Sequence, residues 1–310
     1  MRVVFFGTSS FACPALEALT AHHDVCLVIT QPDRPRGRHH NTCTPCATSS
    51  QAAKHGLPTV CPERINEPDA IKRLRAANAD VFVVAAYGQL LHRSVFAIPS
   101  HGTINIHASL LPAYRGAAPV HWAIIHGETE TGITTFFINE GMDTGEMLVQ
   151  QSLTIDPDET AGALEKRLAV LGSRVILDTL AGIENGTVAP VAQPADGVSL
   201  APRLTRDVCR LDWTQSAQDI HNRVRGTAPR PGAWTVLGDE RIKIHESALT
   251  EIAVGVHAPG DIVLRETGRL LVACRDELVE IRAIQREGRG RVDGKAFLNG
   301  LRGSATFASS

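Results

Sequence analysis

Apolar positions follow two different rhythms along the 310 residues. In the first half, continuous apolar runs at Arg2 to Gly7, Asp24 to Thr30, Asp80 to Ala86 and Gly102 to His107 alternate with stretches of helical spacing at Phe11 to Thr20 and Ala70 to Ala77. Runs apolar at every position are what strands buried on both faces look like, and such strands belong to parallel sheets with helices on either side. A long helix is predicted from about Thr160 to Asn185, with Leu164, Leu168, Leu171, Val175 and Leu180 on one stripe and Gly186 placed to end it. From Ala233 onward the rhythm changes. Short alternating runs (AWTVL, RIKIH, DIVL, RLLVAC, ELVEI) are separated by turn residues, which predicts a small antiparallel barrel.

These patterns predict an α/β protein: a Rossmann-like, doubly wound, mostly parallel sheet followed by a small OB-like antiparallel β-barrel. The expected boundaries are a catalytic domain over 1–186, a linker over 187–205, where Pro190, Pro194 and Pro202 interrupt any period, and a barrel domain over 206–310.

Length and composition agree with two cores in an ordinary globular chain, with 43% hydrophobic and 21% charged residues. No stretch reaches the roughly 18 apolar residues of a membrane span, and the apolar run at the amino terminus is broken at once by Gly7. Seven cysteines, an odd number scattered through a long chain, predict reduced thiols. A cytoplasmic enzyme without membrane contact is expected, and a monomer. Net charge is −2, but from Arg203 onward 17 Lys and Arg stand against 14 Asp and Glu. The carboxy-terminal part is therefore about +3 and the remainder about −5, a weak bias that suits contact with a polyanion and equally suits a solvated face.

The densest chemical signal is Asn105-Ile106-His107-Ala108-Ser109-Leu110-Leu111-Pro112, at the end of a predicted parallel strand. Residues two apart in a strand share a face, so Asn105 and His107 project together at the sheet's carboxyl edge. An amide donor and an imidazole suit acyl transfer, in which negative charge develops on a carbonyl oxygen and a proton must leave the attacking nucleophile. Asp143, in Gly141-Met142-Asp143-Thr144-Gly145, is the candidate partner that orients or charges His107 and relays protons. Taken alone, an aspartate between glycines reads as an Asx-turn residue and Asn-x-His is a weak motif; only their combination singles out either.

That combination carries a resemblance. NIHASLLPAYRGAAP followed by GMDTGEM, with FGT at Phe6 to Thr8, TQPDRPRGR at Thr30 to Arg38 and VVAAYGQLL at Val83 to Leu91, is similar to the folate-dependent formyltransferase family. The resemblance implies Asn105, His107 and Asp143 as catalytic residues and 10-formyltetrahydrofolate as co-substrate. It implies folate contacts at Tyr87, Gly88, Leu90, Leu91, Ser109, Leu110, Leu111, Pro112, Asn139, Gly141 and Met142. The segments Ala201 to Thr205, Arg210 to Trp213 and Pro229 to Trp234 look like the carboxy-terminal domain of the tRNA-formylating members, and Arg34 to Arg38 like their acceptor-stem loop. The implied reaction is formylation of the amino group of methionyl-initiator tRNA, with Arg34, Arg36, Arg38 and Arg203 on the tRNA. Arg223, Arg225, Arg230, Arg241 and Lys243 are expected to follow its backbone. A formyltransferase acting on a nucleotide-linked amino sugar is the alternative.

The chain departs from the family after Arg38, where His39, His40, Asn41 and Thr42 stand in place of the usual lysines. With Cys43 and Cys46 this creates a cluster that has enough ligands for zinc. No second CxxC pair follows and formyl transfer needs no metal, so no metal is expected. Nor is a dinucleotide cofactor, because Gly7-Thr8-Ser9-Ser10 lacks the three-glycine fingerprint.

Overall fold

The computed structural model describes residues 1–33, 44–264, 268–301 and 305–308. The chain forms two compact units, each assembled from three segments: Met1–Gly116, Thr131–Leu153 and Glu165–Leu200 in the first, and Ala117–Glu130, Thr154–Leu164 and Ala201–Ser310 in the second.

The first unit is built on a seven-stranded sheet. Its strands are β1 (Arg2–Gly7), β2 (Asp24–Ile29), β3 (Thr59–Val60), β4 (Val81–Ala85), β5 (Thr103–His107), β6 (Glu130–Phe137) and β7 (Met147–Thr154), in the order β3-β2-β1-β4-β5-β6-β7. β1 pairs in parallel with both β2 and β4, and β4 with β5, whereas β5 and β6 run antiparallel. The apolar runs are buried on both faces as their sequence predicts: Val3, Val4, Phe5 and Phe6 are all inaccessible. Val4 and Phe6 join Phe82, Val84, Leu74 and Ile65 in one core layer.

The chain leaves β1 toward β2 and β3, then crosses back to β4 and β5. The crevice at the carboxyl ends of β1 and β4 is the topological switch point where open α/β sheets bind ligands. The loops that follow β4 and β5 carry Tyr87 to Leu91 and Ser109 to Pro112 to that edge. A 24-residue helix, Ala161–Glu184, matches the predicted stripe closely. Gly172 in this helix lets it lie against Ile106 and Ile133, since a Cβ there would crowd the Ile106 side chain.

In the second unit, short strands form an antiparallel sheet. In chain order they are β8 (Ala233–Leu237), β9 (Glu240–Ala253), β10 (Ile262–Leu264), β11 (Leu270–Ala273), β12 (Glu277–Arg286), β13 (Arg291–Asp293) and β14 (Phe307–Ala308). The path runs β10-β11-β12-β9-β8-β14. Residues 305–308 close the ring, pairing with β8 on one side and bonding Ile262 N to Ala305 O and Phe307 N to Gly260 O on the other. Trp213 and Phe307 stack at 5.5 Å in its core, and the Trp213 indole donates to Thr235 Oγ1 at 3.0 Å. A helix not anticipated from the pattern, Ala217–Thr227, starts at a capping box between Ser216 and Asp219 and turns Ile220 and Val224 into that core.

Candidate active site

Asn105 and His107 emerge on the same face of β5, as their spacing requires. His107 is 5% exposed, and its Nε2 lies 3.0 Å from the carbonyl oxygen of Tyr114. A carbonyl only accepts, so Nε2 carries a proton and donates it there. The other ring nitrogen, Nδ1, faces Asp143 Oδ2 at 3.7 Å. The half-buried carboxamide of Asn105 has no hydrogen-bond partner among the described residues.

Asp143 comes from the loop between β6 and β7. Its backbone is in the left-handed region at φ 53°, a conformation that costs a non-glycine residue about 1–3 kcal/mol and persists only when its surroundings enforce it. The enforcing contacts are visible: Gly116 N donates to Asp143 Oδ2 at 2.8 Å, and Gln193 Nε2 donates to the Asp143 carbonyl at 2.8 Å. The Asx-turn role that the sequence alone suggests for Asp143 falls instead to Asn139, whose Oδ1 accepts from Gly141 N and Thr144 Oγ1. Gly145 is obligatory here, because a Cβ would overlap the carbonyl oxygen of Phe137.

The residues expected around a folate divide into two groups. Leu90 and Met142 are 63% and 65% exposed, and Gly88 holds φ 89° beside the Gln31 side chain. Tyr87, Leu91, Ser109 and Leu111 turn their side chains inward. The Tyr87 ring packs edge-on against Phe6 at 5.5 Å, with its hydroxyl buried and without a hydrogen-bond partner among the described residues, and burial pushes the phenol well above its usual range. Ser109 Oγ donates to Ala113 O and Leu111 N to Thr134 Oγ1, so these two fix the loop that holds the His107 partner Tyr114. The loops carrying Leu90 and Met142 are joined by an ion pair from Arg93 to Glu140 at 3.2 Å, a contact that no spacing along the chain predicts.

Of the residues expected on tRNA, Arg34, Arg36 and Arg38 lie outside the described residues, as do His39, His40 and Cys43 of the candidate zinc cluster. Cys46 is described, and its thiol accepts from Ser49 N at the start of a helix. Among the described residues no group of three or more His, Cys, Asp or Glu is placed to hold a metal, and the described cysteines are free thiols. Arg203 and Arg230 are exposed. Arg225 is not available to a phosphate as expected: it is buried, with Nε on Asn222 Oδ1 and Nη1 on the Glu159 carbonyl, because its own helix turns it against the 154–164 segment. Arg241 is paired with Glu287.

An unpartnered carboxamide beside a histidine and a carboxylate, at the carboxyl edge of a doubly wound sheet, equips a protein for group transfer to a nucleophile. The chain belongs to the formyl transferase family: the formyl transferase model matches residues 1–180 and the formyl transferase C-terminal domain model matches 203–302. It is 46% identical over 303 residues to the methionyl-tRNA formyltransferase of Acidobacterium capsulatum, covering 97% of this chain and 96% of that one. With the methionyl-tRNA formyltransferase of Geobacter metallireducens the identity is 42%, with the same coverage. The fold is also that of an N-formyltransferase from Helicobacter canadensis solved with folinic acid and dTDP-3-aminofucose, at a TM-score of 0.68 and 19% identity over 92% of this chain and 99% of that one.

Proposed function

We propose that this formyltransferase moves the formyl group of 10-formyltetrahydrofolate to the free amino group of methionyl-initiator tRNA in the cytoplasm. The relatives named methionyl-tRNA formyltransferase match nearly the whole chain, both lobes included. The observation that carries the chemistry is the free Asn105 carboxamide beside the His107–Asp143 pair.

The site fits a folate. Two loops joined by Arg93 and Glu140 each expose a large apolar side chain, Leu90 and Met142, and apolar surface of that kind is suited to covering a flat ring. Folate supplies the formyl group as the amide on its N10: the amine attacks the formyl carbon, the C–N10 bond breaks, and N10 leaves with a proton, so one proton is taken from the attacking amine and one is delivered to the leaving nitrogen. Asn105 donates a hydrogen bond to the formyl oxygen as negative charge builds there. His107 Nδ1 and Asp143 form the proton-handling pair: the attacking ammonium must lose a proton, and Nδ1 is the ring nitrogen free to exchange one, since Nε2 is held by Tyr114. The 3.7 Å separation is longer than a direct hydrogen bond and is expected to tighten when substrates bind.

The test is transfer of labelled formyl from 10-formyltetrahydrofolate to methionyl-initiator tRNA, beside methionyl-elongator tRNA and an amino-sugar nucleotide. Selective labelling of the initiator species is expected; labelling of the sugar alone overturns the acceptor and keeps the chemistry.

A further inference from the structure

The segment 187–200 contains no helix or strand, yet it bonds to both loops that position His107 and Asp143. Val191 exchanges backbone hydrogen bonds with Met147, the first residue of β7. Eight residues on, the Ser199 carbonyl accepts from Arg115 N and its Oγ from Tyr114 N, both at 2.9 Å. Tyr114 is the residue whose carbonyl holds His107 Nε2.

Between these anchors sits Gln193, with every polar atom of its side chain in use. Nε2 donates to the carbonyls of Asp143 at 2.8 Å and Gly145 at 2.9 Å. Oε1 accepts from Arg115 Nε at 3.0 Å and Nη2 at 2.6 Å. Its orientation follows from these partners: a guanidinium has only donors and a carbonyl only accepts, so a flipped amide would lose all four bonds. Arg115 is next to Gly116, whose N–H holds the Asp143 carboxylate. Gln193 therefore ties the backbone of the left-handed Asp143 to the strand-end segment that grips its side chain.

We propose that Gln193 is a positioning residue for Asp143, setting the approach of its carboxylate to His107 Nδ1. Gln193 lies between the two family-model matches. The inference rests on the proton-handling role assigned to Asp143. Only an amide fits: a glutamate at 193 keeps the pairing with Arg115 and loses both donors to the loop.

The experiment compares Gln193→Ala, Gln193→Glu, Asp143→Asn and the Gln193→Ala/Asp143→Asn double variant. Formyl transfer to methionyl-tRNA is followed against pH, and thermal unfolding establishes that each protein is folded. Both Gln193 variants are expected to lower kcat about tenfold or more and to displace its pH profile, with KM for both substrates near that of the parent. Adding Gln193→Ala to Asp143→Asn is expected to cost nothing further, because the residue acts through the one already lost. Folded Gln193 variants with parental kcat and pH profile overturn the inference, as do losses that multiply in the double variant. If Gln193→Ala does not fold, Gln193→Glu alone decides on the same readouts. An inactive Asp143→Asn beside fully active Gln193 variants sinks this inference alone; an active Asp143→Asn sinks the Asp143 reading and this inference together.

Discussion

His107 Nδ1 and Asp143 Oδ2 stand 3.7 Å apart, although 36 residues and an antiparallel strand separate them in the chain. The pair is held from outside itself: Tyr114 fixes the histidine ring through Nε2 and Gly116 fixes the carboxylate. Neither group is bonded directly to the other, which leaves room for a proton to be taken up and passed on.

Replacing Asp143 with Asn keeps its shape and removes its charge. Formyl transfer is expected to fall roughly 10²- to 10⁴-fold in kcat, the range for loss of an acid–base group, with folate affinity largely kept. Single-turnover transfer and folate titration measure the two separately, and parental turnover would remove Asp143 from the chemistry.

Asn105→Ala removes a group that no described residue bonds. The fold is expected to tolerate it, with an unfolding midpoint close to the parent. Turnover is expected to drop roughly 10²- to 10³-fold, as when one donor to a developing oxyanion is lost. A large fall in midpoint with turnover kept would make Asn105 structural instead.

Tyr87→Phe deletes a hydroxyl that is buried with no hydrogen-bond partner among the described residues. Such a group carries an uncompensated desolvation cost of about 1–3 kcal/mol, so the variant is expected to unfold at a higher temperature than the parent. A lower midpoint would reveal a partner for the hydroxyl.

His221 in the second unit is buried, with Nδ1 3.0 Å from Ser247 Oγ and Nε2 within ion-pair distance of Asp158 but not aligned for a hydrogen bond. Burial first, and then the neighbouring Arg225, hold its pKa below the ordinary 6.5, outweighing Asp158. The neutral ring is therefore the folded form. Its stability is complete above the unfolded-state pKa and is lost as pH falls through 6.5 and below. Urea unfolding between pH 8 and pH 5 is expected to show this loss, and His221→Asn to show a flatter dependence. Equal slopes in the two proteins would assign the titration elsewhere.

Much of the architecture was legible in the chain. Arg2 to Gly7 and Asp24 to Ile29 form buried parallel strands because an unbroken apolar run can be satisfied only by cover on both faces. The long helix follows from a stripe of leucines and Gly186. Asn105 and His107 share a face because the strand period is two. The helix Ala217–Thr227 was missed, since His221, Asn222 and Arg225 break its apolar stripe and are buried in polar contacts instead.

The sequence by itself determined the strand and helix periods, the pairing of Asn105 with His107 on one face, and the glycine-flanked loop that delivers Asp143. These are local properties, set by backbone geometry over a few residues. Only the tertiary structure decided which nitrogen of His107 is engaged, that Tyr87 faces the core, and that Gln193, 50 residues from Asp143 and 78 from Arg115, holds the site together. Hydrogen bonds across such separations have no period and leave no spacing to read. They exist because folding brings loops distant in the chain together at the carboxyl end of the sheet, where half-buried carbonyls and a guanidinium find partners within 3 Å.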